Sequence, residues 1–266
     1  MFFIGLLYSS IALLVVALLF SKDSVLSKYG GILTVLLTVL FCFPFMYFII
    51  KFEEGKDVLI SRRGRLLREH SKAIKALMWL FLGLVVGFSF WYILLPGLGE
   101  SSFNAQVEVY CAINSPGNFE KCISDSNFFT GGVTRPERFM GIFANNVNVL
   151  IVTLIFSLLF GAGAIFILVW NASVIAAAIG IFARNNLSQL PVGFFRYMIH
   201  GIPEIAAYFV GALAGGIISV AIIRRDLMGE RKWKIIEDAL LLVLVAVLIL
   251  VFAGIIEVWV TPLIFG

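Results

Sequence analysis

Glu204 and Glu257 stand inside stretches of chain that are otherwise apolar, and His200 precedes Glu204 by one helical turn. A carboxylate in hydrocarbon costs roughly 2.5–3.5 kcal/mol on insertion scales, so such a group has a partner or a task. Asn146 opens another apolar stretch in the sequence Ala144-Asn145-Asn146-Val147-Asn148. Three chemistries suit Asn146, His200, Glu204 and Glu257. The asparagine amide and the imidazole could satisfy two carboxylates in a purely structural cluster. His200 and Glu204 at i, i+4, joined by Glu257, could offer three ligands to a divalent metal ion. The same groups could line a path for protons or a small solute.

The elements that position these residues are membrane helices. Apolar residues make up 61% of the chain and charged ones 14%, a balance foreign to a water-soluble domain. Apolar runs recur at about 20 residues, the length that crosses ~30 Å of hydrocarbon. The expected spans are 2–20, 31–50, 74–97, 144–160, 164–183, 202–223 and 236–262. The first run lacks a basic leader segment and a small-residue cleavage site, so it reads as a retained helix and not a signal peptide. Stretch 144–183 is too long for one span. Phe160-Gly161-Ala162-Gly163-Ala164 supplies a reversal, because glycine permits the left-handed backbone of a tight turn.

Charge sets the expected orientation. Segment 51–75 carries eight of the twenty Lys and Arg residues, and 224–234 carries five. Seven spans put both on one side, which the positive-inside rule makes cytoplasmic. The expected fold class is therefore all-α, an integral membrane bundle of about seven helices with its N-terminus cytoplasmic and its C-terminus outside. The domain plan is a two-helix hairpin over 1–50, a basic cytoplasmic segment over 51–75, and a five-helix membrane domain over 76–266. The basic clusters suit contact with anionic lipid. Phe52 and Trp233 alone stand among these charges, too few for the aromatic interleaving of a nucleic-acid site.

The longest connection, 98–143, falls on the outer side and carries five acids against three bases. Cys111 and Cys122 both lie in it, and an oxidising compartment favours their disulfide. Cys42 reads as a small buried hydrophobe. Asn186-Leu187-Ser188 is an N-glycosylation-type motif on the same predicted side.

Pro191 to Ile199 is expected to lie in the outer interface, with aromatic residues and Arg196 as anchors. Gly201 then ends that segment. Pro203 would occupy the first turn of the next helix, where its missing N–H matters least, and Glu204 would sit at the positive end of the helix dipole. Three helix ends would then bring Asn146, His200, Glu204 and Glu257 to one depth. Helical faces agree. Glu204, Ala207, Gly211, Gly215 and Ser219 share a stripe, as do Ala246, Leu250, Gly254 and Glu257, and Asn146, Thr153, Ser157 and Gly161. Small residues mark where membrane helices approach closely.

Phe143 with Asn145-Asn146, Asn171, His200-Gly201-Ile202-Pro203-Glu204 followed by Gly211 and Gly215, then Ile256-Glu257 and Thr261-Pro262, resemble the stage II sporulation protein M family. The resemblance covers roughly 75–266 and adds Asn171 to the polar cluster. It implies a polytopic membrane protein. The family's namesake holds a cell-wall hydrolase and a second scaffold protein at the membrane of spore-forming bacteria. The two leading spans lie outside the part that matches.

Enzyme motifs are absent: there is no G-x-S-x-G elbow, no H-E-x-x-H and no phosphate-binding glycine loop. The sequence thus points away from catalysis and toward a multi-pass scaffold or assembly factor of the cell membrane, positioning partner proteins at its outer face. The partners it implies are the lipid bilayer and other membrane or outer-face proteins, a second copy of the chain included, and no nucleic acid. A transporter or channel using the His/Glu/Glu/Asn site is the rival reading, and an intramembrane metal-dependent hydrolase a third. Against transport, the inner halves of the last two spans are almost wholly apolar and no internal repeat appears.

Overall fold

The computed structural model describes residues 1–20, 22–57, 71–95, 102–114, 122, 134–160, 164–183, 186–223, 225 and 232–265. The glycine reversal at 161–163, most of both basic segments and most of the loop around Cys122 lie outside these residues. Among the described residues there is no strand, and seven helices are long and apolar enough to cross a membrane.

The elements are α1 (Phe2–Phe20), α2 (Gly30–Asp57), α3 (Ser71–Leu94), α4 (Asn104–Asn114), α5 (Arg135–Phe160), α6 (Ala164–Ala183), α7 (Leu190–Ile223), α8 (Lys232–Ile255) and α9 (Thr261–Phe265). A π turn over Ile256–Val260 joins α8 to α9. Short 3₁₀ turns over Leu26–Tyr29 and Leu187–Gln189 lead into α2 and α7. The chain forms two compact units, Met1–Gly131 with Leu168–Tyr197, and Gly132–Ile167 with Met198–Gly266.

In the first unit, α1 and α3 pack with their backbones in contact. A Cβ at Gly5 would collide with the Leu80 carbonyl, and one at Gly83 with that of Phe2. Only glycine allows so close an approach, which is how membrane helices gain van der Waals contact without help from water. α2 runs to Asp57 and not to 50, because Lys51, Glu53, Glu54 and Lys56 are good helix formers that carry the helix past its apolar part. From α6, Ala172, Ala176, Ala177 and Ile179 are fully buried.

The outer connection expected over 98–143 contains a helix, α4. Phe103, Gln106, Val107, Tyr110 and Cys111 recur at spacings of three and four, and all but the half-buried Tyr110 are buried. Phe103 packs against Phe88 and Tyr92, with centroids 5.7 and 5.4 Å apart. Gln106 Nε2 donates to the Gly31 carbonyl at 3.0 Å. The Tyr110 and Tyr197 hydroxyls are 2.8 Å apart. Cys111 and Cys122 form a disulfide, with Cα atoms 5.7 Å apart. Cys42 is free and buried.

The second unit corrects two expected boundaries. α5 begins at Arg135 and not at 144. Thr134 and Glu137 form a reciprocal cap: the Thr134 amide and hydroxyl each donate to Glu137 Oε2 at 2.9 Å, and the Glu137 amide donates back to Thr134 Oγ1 at 3.4 Å. Thr134-Arg135-Pro136-Glu137 is a helix-start signal hidden in a polar stretch.

α7 is one helix through both Gly201 and Pro203. The expected break at Gly201 is absent. Proline removes one i→i−4 bond, yet a membrane helix loses too much by exposing further backbone to end there. Glu204 is therefore mid-helix, and the dipole argument for it does not apply. Arg196, expected as an interface anchor, is only 5% exposed, with its guanidinium 5.1 Å above the Phe182 ring.

α5 and α7 zip along the expected stripes. Leu150 fills the space above Gly211, the Ser157 hydroxyl donates to the Ala212 carbonyl, and a Cβ at Gly215 would stand 2.8 Å from the Leu154 carbonyl. On α8, Ala239, Leu242, Ala246, Leu250, Ala253 and Gly254 are buried, while Leu240, Leu244, Leu248 and Phe252 are exposed. Four of the six buried residues are small, and all four exposed ones are large and apolar, which suits a helix with one face to lipid.

Candidate functional site: a polar cluster across three helices

Asn146 is the hub. It lies in the fourth turn of α5 and is only 6% exposed. Its Nδ2 donates to Glu204 Oε1 at 2.8 Å, and its Oδ1 accepts from the Tyr208 hydroxyl at 3.1 Å. Asn145 Nδ2 reaches the same oxygen at 3.5 Å. One amide thus ties a carboxylate and a phenol that are neighbours at i, i+4 on α7. Interhelical bonds of this kind hold membrane helices in register.

Glu257 enters from the end of α8. It lies in the π turn, within Coulomb reach of the Glu204 carboxyl and the Tyr208 hydroxyl. The Ile256 carbonyl in that turn accepts both the Thr261 amide and, at 3.1 Å, the Thr261 hydroxyl. Phe139 of α5 flanks the turn, 5.7 Å from Trp259 between centroids. A π turn adds a residue to the helix and rotates the residues beyond it, so it re-aims a side chain and recurs at functional sites.

His200 stands one turn before Glu204 on α7 and is half-buried. Asn171 is half-buried on the part of α6 that belongs to the first unit. The structure therefore joins Asn146, Glu204 and Tyr208 by hydrogen bonds, with Glu257 within Coulomb reach. Tyr208 was legible as the i+4 neighbour of Glu204, but its aromatic ring reads as ordinary core. Among the described residues no group of three or more His, Cys, Asp or Glu side chains could hold a metal ion. The expected His200/Glu204/Glu257 ligand set is thus not assembled. The carboxyl of Glu204 is turned across the helix interface onto the Asn146 amide.

Seven apolar helices and an interhelical Asn–Glu–Tyr network define a polytopic α-helical membrane protein. The family model for stage II sporulation protein M matches residues 76–262, and the chain belongs to that family. An uncharacterized protein of Methanocaldococcus jannaschii is 31% identical over 129 residues, which cover 47% of this chain and 71% of that relative. No solved structure matches. The match takes in every member of the polar cluster and α4, and it leaves α1 and α2 outside.

Proposed function

We propose that this protein is a multi-pass scaffold or assembly factor of the cell membrane that positions partner proteins at its outer face. One observation carries the reading: α4, at eleven residues too short to cross a membrane, is a braced helix. Phe103, Gln106 and Tyr110 fix one side of it to α3, α2 and α7, and Cys111 is cross-linked to Cys122. Its other side, Asn104, Glu108 and Ala112, is exposed. A surface held so firmly suits the presentation of a fixed epitope, since preorganisation cuts the entropy lost on binding. Solute translocation needs no such helix. In the second unit, Asn146, Glu204 and Tyr208 are already engaged with one another.

A photo-crosslinking side chain at Glu108, in the full-length protein in its own membrane, tests this. The expected product is a discrete adduct with one other protein, absent when the probe replaces Trp79 on the exposed face of α3. An adduct of two copies of this chain would make the partner a second copy. No adduct, with proton or cation flux in proteoliposomes that Glu204→Gln abolishes, would replace the scaffold by a transporter. The side is tested separately. In a variant lacking all three native cysteines, Ser126→Cys should react with an impermeant maleimide added outside, and Ser61→Cys should not. Labelling at 61 in intact cells would reverse the orientation.

A further inference from the structure

We propose that Asn186 is the acceptor of an N-linked glycan. The motif Asn-x-Ser occurs twice, as Asn171-Ala172-Ser173 and as Asn186-Leu187-Ser188. The structure separates the two. Ser173 is fully buried in α6, its hydroxyl donating to the Trp170 carbonyl at 2.7 Å. A transferase would have to unwind a buried membrane helix to reach Asn171. Asn186 lies before α7 in extended backbone, with φ −109° and ψ 102°, and residues 186–189 are all exposed.

The side chain is also held in a useful pose. Asn186 Oδ1 accepts from the Ser188 amide at 3.0 Å and from the Ser188 hydroxyl at 2.8 Å. With the oxygen engaged in that turn, the amide nitrogen is the atom presented outward. The hydroxyl bond polarises the carbonyl, which makes the N–H bonds more acidic.

Access to the membrane-bound transferase follows from helix length. The 34 residues of α7 extend about 51 Å at 1.5 Å per residue, against ~30 Å of hydrocarbon. Arg224 and Arg225 follow the C-terminal end of α7 and favour that end at the lipid headgroups. At the other end, α6 stops at Ala183 and Gly193 of α7 packs against Ile179 and Phe182, so Asn186 lies just beyond the last turn of α6. The proposal rests on the orientation assigned from charge, which cysteine labelling at 126 and 61 reads independently.

The reaction joins Asn186 Nδ2 to the anomeric carbon of an oligosaccharide carried on a lipid-linked phosphate. The bond from that carbon to the phosphate oxygen breaks, the oxygen keeps the electron pair, and the amide proton passes to a base of the transferase. No oxidant or reductant is needed.

Protein purified from its native host and cut after Arg184 and Arg196 releases peptide 185–196. The expected result is that this peptide carries a sugar mass. That mass is lost in Ser188→Ala and retained in Ser188→Thr, which keeps the hydroxyl. An unmodified 185–196 peptide from the wild-type protein overturns the proposal. So does a sugar that persists in Ser188→Ala, or one found instead on the segment holding Asn171.

Discussion

In the unit of residues 1–131 and 168–197, buried polar groups reach between elements remote in sequence: Gln106 to Gly31 and Tyr110 to Tyr197, beside the disulfide of Cys111 and Cys122. In the unit of residues 132–167 and 198–266 Ser157 makes one such tie, to the Ala212 carbonyl, but Glu204 and Tyr208 meet at one side chain, Asn146, which serves both. The first arrangement spreads single ties along a helix with little apolar surface. The second concentrates several groups at one crossing of apolar helices. Independent ties should fail additively, whereas a hub should not, because residues sharing one network couple by about 0.5–3 kcal/mol.

The largest effect is expected from the disulfide. Replacing both Cys111 and Cys122 by Ser removes a cross-link closing a loop of separation 11 and should cost about 3 kcal/mol in the chain-entropy account. The first check is intact mass after alkylation without reductant, which should show two fewer modified thiols than after reduction. Equal counts would remove the bridge and leave Phe103, Gln106 and Tyr110 as the ties that brace α4.

Next comes the hub. Asn146→Ala should lower stability in detergent by about 1–2 kcal/mol, from two interhelical bonds of roughly 0.6 kcal/mol each plus the cost of stranding their partners. Glu204→Gln and Glu257→Gln then measure whether the second carboxylate belongs to the same unit. Two carboxylates within Coulomb reach repel, so the double change should cost less than the sum of the singles. Strictly additive losses would place Glu257 in a separate environment and leave Asn146, Glu204 and Tyr208 alone as the cluster.

How much of this was legible depends on which signals are local. Helix number and span positions could be read because twenty-residue apolar runs have few alternatives in a membrane. The stripes of Gly211, Gly215 and Ser157 could be read for the same reason: periodicity survives without knowledge of the partner helix. The course of α7 could not. Gly201 and Pro203 are reliable breakers in water, where freed backbone groups find solvent, and that rule fails where the alternative is an unsatisfied carbonyl in hydrocarbon. α4 was missed because eleven residues of amphipathic pattern sit among Gly, Ser and Asn. The π turn around Glu257 has no signal in the residue types, since Ile256-Glu257-Val258-Trp259-Val260 suits an ordinary helix equally well.

The smallest effect separates the two arrangements most cleanly. Tyr110→Phe removes one hydroxyl of the Tyr110–Tyr197 pair and should cost about 1 kcal/mol, the usual net worth of a single hydrogen bond. Tyr197→Phe should cost the same. The rings remain, 6.2 Å apart in an edge-on contact, so their packing is not lost. If the tie is independent, the double variant should lose no more than either single, because replacing both partners leaves no stranded donor or acceptor. Combined with Gln106→Leu, either variant should then give additive losses in thermal stability, since Gln106 bonds to Gly31 and shares neither tyrosine as a partner. Coupling above about 0.5 kcal/mol between Gln106 and the tyrosines would show that α4 is held by a network as well, and the contrast with the Asn146 hub would collapse.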